Sequence, residues 1–357
     1  MGKTMRVLLA PLATVIFLIA ALTPQCIYGQ VFGLGVSDPA LFVNGSFNLP
    51  TDSPPFTSGD LQQINVTEGG DLRFVFDAFS GSEVNISGGN VGVFFNANDG
   101  SEINISGGVV GEGFDALSGS FVNISGGNIG EGFSNIGGVV NISGGVIGDF
   151  ADTSGGETNI SGGSLGNGFR GLGGTINISG GSIGNDFFAL LGEINISGGT
   201  VGNDFVSSSG ATINISGGTI GDGFGSSGEV NISGGNIGQN FSAGGETNIT
   251  GGLLGDGFTA ANGSVVNLFG SEFTFDGEII PGLLAGDTLN FTQRGGTLAG
   301  ILADGSPFDI DIDLVFDAGQ FFDPGSTFNL TVVSAPEPSA LTILALGAPA
   351  LILRRRR

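Results

Sequence analysis

One unit recurs through most of this chain, and its spacing leaves few folds open. Its clearest copy reads Ile213-Asn214-Ile215-Ser216-Gly217-Gly218-Thr219-Ile220-Gly221-Asp222-Gly223-Phe224. The Asn returns at 65, 85, 104, 123, 141, 159, 177, 195, 214, 231, 248 and 267, a mean period of (267 − 65)/11, or about 18 residues. So short a unit cannot bury an apolar face by itself; it becomes stable only by stacking on its neighbours. Asn65 and Asn267 open degenerate copies, as expected of repeats that must close the two ends of a stack.

Within the unit, apolar residues flank the Asn and alternate with polar ones, the period-2 mark of a half-buried strand. Ile213 and Ile215 therefore point inward, and Asn214 and Ser216 outward. The Gly-Gly pair predicts a tight turn, because glycine takes positive φ without penalty. A second short strand carries Ile220 inward, a polar turn follows, and a third strand begins at a Phe. One Phe per unit, at 95, 114, 133, 150, 169, 187, 205, 224, 241 and 258, predicts a stacked inward column.

Three short strands per turn of about 18 residues predict an all-β chain, a parallel β-helix or β-solenoid over residues 61–267. At about 4.8 Å per rung, its length is on the order of 50 Å. The strict hexapeptide spacing of left-handed helices is missing, since six residues after Ile215 comes Gly221, so a right-handed helix is expected. Residues 268–334 lose the repeat but keep strand-like alternation, as in Phe308-Asp309-Ile310-Asp311-Ile312, and predict a β-rich C-terminal cap. Residues 30–60, rich in Pro and Ser, predict a linker or an N-terminal cap.

Composition supports strands and narrows function. Glycine supplies 71 of 357 residues while 40% are hydrophobic, so apolar material for a core is present and a disordered polar tract is excluded. All nine basic residues are Lys3, Arg6, Arg73, Arg170, Arg294 and the terminal Arg354, Arg355, Arg356 and Arg357. With both ends removed, three Arg face 32 or 33 acids, according to whether Glu337 stays, a net charge of −29 or −30. A nucleic-acid partner is excluded by the lack of any basic stripe. The chain has no His, and its one cysteine, Cys26, lies in the leader described next, so neither a disulfide nor a Ser-His or Cys-His pair can be built after processing. Carboxylate pairs remain, but the acids fall at repeat positions with no copy singled out, and an enzyme is not expected.

The two ends read as addresses. Lys3 and Arg6 precede an apolar run from Val7 to Leu22 and a cleavage point after Gly29, the three-part layout of a secretory signal peptide over residues 1–29. At the other end, Ala335-Pro336-Glu337-Pro338-Ser339 leads to an apolar run from Ala340 to Leu353 and then four Arg. That run of 14 residues is short of the roughly 20 a stable span needs, and Pro349 would kink it. The four Arg would stay on the cytoplasmic side, so the segment can pause in a membrane with the rest outside.

This layout, Pro336, Glu337 and Pro338 before an apolar stretch and the run Arg354 to Arg357, resembles the PEP-CTERM sorting tail of Gram-negative bacteria. The resemblance covers residues 335–357. It implies recognition by an exosortase, a membrane protease, and makes Pro336, Glu337, Pro338, Arg354, Arg355, Arg356 and Arg357 the sorting residues. It also implies export to the cell surface or extracellular space after transient anchoring in the inner membrane. The expected function is a structural or adhesive protein of the surface or matrix, with exopolysaccharide or other surface components as partners. A carbohydrate- or Ca²⁺-binding module is the alternative, and a polysaccharide-degrading β-helix enzyme comes third.

Three repeated features have two readings each. Asn-Ile-Ser satisfies the N-glycosylation sequon, yet Asn at fixed spacing can equally hydrogen-bond along the stack, and the latter is expected. Glu stands two places before the Asn at 83, 102, 157, 193, 229 and 246. A second polar column holds Glu112, Glu131, Asp149, Asn167, Asn185, Asn203, Asp222, Gln239 and Asp256. Stacked carboxylates could bridge Ca²⁺, but Asn and Gln interrupt the column and the nonapeptide of calcium-binding β-rolls is absent, so a solvated face without cofactor is expected.

Overall fold

The computed structural model describes residues 63–72, 76–312 and 322–333, together with the strand backbone at 41–43, 46–47 and 56–57. Among them every regular element is a strand. The chain forms a β-solenoid of about eleven turns at roughly 19 residues per turn. Successive coils pair in parallel and in register, as Ile64↔Val84, Val84↔Ile103, Ile213↔Val230 and Thr247↔Val266 show. Individual steps range from 17 to 20 residues, and the first, Leu41↔Ile64, takes 23. Stacking gives each inner coil a hydrogen-bonded partner on both sides, which is what lets units this short persist.

The Gly-Gly pair is not a turn between two strands in most coils. Strands such as Glu102–Val110 and Glu229–Ile237 run through it, with the ladder slipping at the glycines as a bulge. Gly218 explains the choice of residue: its φ is +82°, and a Cβ there would lie 2.9 Å from the backbone of Gly198 in the preceding coil. In the coils from Ser134 to Ile183 the strand also rounds the third corner unbroken, giving elements of 14 residues.

The core consists of columns running along the axis. Two flank the Asn, through Ile213 and Ile215 and their equivalents, and a third passes through Val201, Ile220 and Ile237; all of these are buried. The Phe column begins earlier than the sequence suggests, at Phe76, and ends later, at Phe322. Its central rings stack nearly parallel, Phe187 on Phe205 at 4.5 Å and 5°, Phe205 on Phe224 at 4.8 Å and 13°.

Phe150 is the exception. The sequence places it in the column, but its side chain is 57% exposed, and Ala151 fills the inward position at 1%. The ladder fixes the frame, because Ser134↔Asp152 sets Phe133 against Ala151 and Gly132 against Phe150. The Phe column is thus broken between Phe133 and Phe169.

A fourth column, of small residues two places after each Phe position, went unread in the sequence. It holds Ala97, Ala116, Asn135, Thr153, Ala189 and Ser207 among others. Beside the missing ring it turns polar. Asn135 Nδ2 donates to Thr158 Oγ1 at 2.9 Å and to the Glu157 carbonyl at 3.0 Å, the Gly138 amide donates to Asn135 Oδ1, and Thr153 and Thr158 share a hydrogen bond. A buried polar group is tolerated when it is bonded in this way.

At the C-terminal end the chain leaves the stack after Val265–Phe275 and rejoins it at a register offset of 62 residues. The strand Thr327–Val332 then pairs in parallel with it, Asn267↔Asn329. Between them, Gly296–Leu302 pairs antiparallel with Val265–Phe275 and with Pro307–Ile312, and Thr288–Phe291 runs antiparallel on Thr327–Val332. The expected β-rich cap is therefore one more rung of the solenoid closed by an antiparallel layer. Its rings turn edge-on, Phe258 to Phe322 at 78° and Phe322 to Phe328 at 67°, and stacking ends there.

Candidate functional site

Most polar groups of the repeat are engaged along the stack. Each ladder Asn donates from Nδ2 to the Oδ1 of the Asn one coil before it, from Asn85→Asn65 to Asn267→Asn248, at 2.7–3.2 Å. Asn329 adds the last bond at 2.8 Å, although the sequence repeat ends at Asn267. The Glu two places before the Asn takes the second amide hydrogen. Glu83, Glu102 and Glu229 accept from the Asn of their own strand, and Glu157, Glu193 and Glu246 from that of the next coil. Such charge-assisted bonds give each of these carboxylates a partner along the stack.

The second polar column has a different task. From Asp149 onward each short side chain accepts, through Oδ1, from the backbone amide of the equivalent residue one coil on: Asp149 from Asn167, Asn167 from Asn185, Asn185 from Asn203, Asn203 from Asp222 and Asp222 from Gln239, at 2.8–3.0 Å. Asp and Asn alternate freely because both present Oδ1, which also explains the interruptions noted in the sequence. Glu112 and Glu131 stand before this ladder begins, and both are exposed.

Next to that column the backbone adopts the left-handed conformation in successive coils. The positions are Phe94, Gly113, Gly132, Phe150, Gly168, Asp186, Asp204, Gly223, Asn240 and Gly257, with φ between 58° and 80°. The conformation directs each amide along the axis, as Phe94 N–H donates to the Glu112 carbonyl and Phe150 N–H to that of Asn167. Gly, Asn and Asp fit this region, whereas a bulky residue there is an outlier. Phe94 and Phe150 are that outlier twice over.

One short column carries opposite charges. Arg170 meets Asp152 at 3.3 Å, and Ser134 Oγ donates to the same carboxylate. Two rungs below Asp152, Asp115 has its carboxyl raised above the ordinary range, first by burial and then by the negative charge of Asp152. In the cap, burial pulls Asp304 upward, but amides of Ser306 and Gly252 and the Ser306 hydroxyl win, and its carboxyl is held below the ordinary range. The Gly252 bond, at 2.8 Å, latches the cap to the coil below. Arg294 is a second latch. Its guanidinium donates to the carbonyls of Phe291, Gln293 and Ser326 and lies 5.5 Å from the Phe328 ring centre, with Nε buried and unbonded.

A cleft of about 80 Å³ separates the last coil from the cap, bounded by Asp256, Gly257, Asp309 and Asp311. Among the described residues no three carboxylates converge as a metal centre. The sorting residues Pro336, Glu337, Pro338 and Arg354 to Arg357 and the leader 1–29 lie outside the described residues. Within those residues no helix is long and apolar enough to cross a membrane. Compared with known proteins, the chain matches no family model, no curated protein and no solved structure. The class defined by fold and ladders is thus a β-solenoid with an asparagine spine and a capped C-terminal end.

Proposed function

We infer that this chain is an exported structural or adhesive component of the cell surface or extracellular polysaccharide matrix, sorted through its PEP-CTERM-like tail and without catalytic activity. The observation that carries the reading is the asparagine spine, which runs through every coil from Asn65 to Asn329 and commits the repeat's polar groups to holding a rod together. Such a body suits a spacer or scaffold more than a reaction site. Residues 1–29 and 335–357 supply the export and sorting half of the reading, with an exosortase-type protease as the processing partner. The mature C-terminus of wild-type protein from surface and culture fractions, read by mass spectrometry, tests it. Cleavage next to Pro336-Glu337-Pro338 is expected, and intact Arg357 on released protein from an exosortase-bearing strain would remove the sorting claim. A second reading, a carbohydrate-binding module, is favoured by one feature: aromatic side chains that leave the core at a break in the repeat.

A further inference from the structure

We propose that the edge carrying Phe94 and Phe150 is a binding strip for a neutral polysaccharide chain, with the two rings as stacking platforms. Their exposures are 59% and 57%, above the 39% of Phe79 and 40% of Phe121, in a chain that places a ring in the core of nearly every coil. Both sit at φ near +60°, where the same column elsewhere uses Gly, Asn or Asp. Backbone strain without burial in return is the pattern found where a side chain serves a ligand. At residue 150 the core loses as well, since Ala151 breaks the ring column and a Thr-Asn network fills the space nearby.

The surroundings suit a glycan. Each ring leans over a glycine of the next coil: a Cβ on Gly113 would lie 2.9 Å from Phe94 Cδ1, and one on Gly168 the same distance from Phe150 Cδ1. Both glycines keep the backbone low under the ring and leave its outer side open. The rings are three rungs apart, about 14 Å along the axis at the spacing of paired strands. An extended oligosaccharide can reach both, and a monosaccharide cannot. Between them project Glu112 and Glu131, exposed carboxylates outside the amide ladder that starts at Asp149. Aromatic faces meet the C–H faces of sugar rings, and carboxylates accept from hydroxyls. Charge selects among polymers: with 32 acids against three Arg once the ends are removed, the chain repels polyanions, so a neutral glycan fits.

The inference names a partner for the matrix reading, but its test is independent of export. Full-length chain is run in native gels cast with a neutral glucan, a galactomannan or, as the anionic arm, alginate. Retardation by a neutral polymer is expected, weakened about tenfold by Phe94→Gly or Phe150→Gly, the size of one stacking contact, and abolished by both. Because glycine relieves the strained backbone, melting temperatures should stay level or rise. Phe121→Glu, an exposed ring elsewhere, should change nothing. No retardation of wild type by a neutral polymer overturns the proposal, as does retardation by alginate alone or retention by the double variant. Equal loss in Phe121→Glu would mean nonspecific adhesion, and a lower melting temperature in both the Gly variants and their Asn counterparts would make the rings structural. If size-exclusion shows that the double variant breaks a wild-type dimer, a second copy occupies the strip and the glycan reading falls.

Discussion

The solenoid body and its C-terminal cap are built from similar strands but hold together differently. In the body most rungs repeat the contacts of the one before, aliphatic on aliphatic and Phe on Phe except at Ala151, and Asn stacks on Asn throughout. In the cap the strands turn antiparallel, the rings meet edge-on, and single side chains such as Arg294 and Asp304 bind unlike elements. Repetition spreads stability over many equal contacts, whereas the cap concentrates it in a few. Damage to one rung should therefore be felt along the stack, while damage to a latch should stay local.

The largest effect should come from the body. Phe205→Ala removes a ring stacked on both sides and should cost about 3–5 kcal/mol by chemical denaturation. A loss below about 1 kcal/mol would show that the column is not a packed core. In the cap, Arg294→Met should cost about 1.5–3 kcal/mol through its lost bonds to three carbonyls. Hydrogen exchange should locate that loss in residues 288–302 and leave Ile213 and Ile215 protected; uniform loss would mean that cap and body unfold as one unit.

Asparagine separates the regions more finely. Asn195→Ala removes one donor and one acceptor from the spine, Asn195 to Asn177 at 3.0 Å and Asn214 to Asn195 at 2.8 Å, and should cost about 1–2 kcal/mol. Asn290, exposed on an antiparallel strand beside Asn329, lies past the end of the spine, and its replacement by Ala should change stability by less than about 0.5 kcal/mol. Similar values at both sites would deny the spine a special role.

The smallest effect is one of sign. Asp115 has a raised folded pKa, so it lowers stability as pH rises from the unfolded value of 3.8 through the raised one. Asp115→Asn should therefore stabilise at neutral pH, with the gain vanishing in acid. Asp304 is held below 3.8, so its contribution is present above that value and disappears as pH falls through the folded one. Asp304→Asn should destabilise at neutral pH and converge with wild type in acid. Melting temperatures from pH 3 to 7 check both, and parallel curves for the two variants would contradict the environments described.

The repeat made the body legible because stacking imposes the same environment on equivalent residues. Ile213 and Ile215 inward, Asn214 on an outer spine and Phe205 in a ring column follow from spacing alone. The one misplaced ring, Phe150, shows the limit. Its spacing of 17 from Phe133 falls within the range the repeat tolerates, and only the backbone frame assigns the inward place to Ala151. The outward edge with Glu112, Glu131 and Phe94 was hidden for the same reason. The Asp149 to Gln239 ladder was legible as a column, but its task was not, since an oxygen facing solvent and one facing the next amide leave the same mark in a sequence.

By itself, then, the sequence determined the repeat, the all-β stack and three of its inward columns, because each depends on residue type at regular spacing. Tertiary structure alone decided that the Gly-Gly pair is a bulge, that Phe94 and Phe150 face outward, and that Asn329 closes a spine whose previous member lies 62 residues away. These depend on which backbone amide or carbonyl a residue meets in the next coil, a non-local partner that no spacing within one unit can specify.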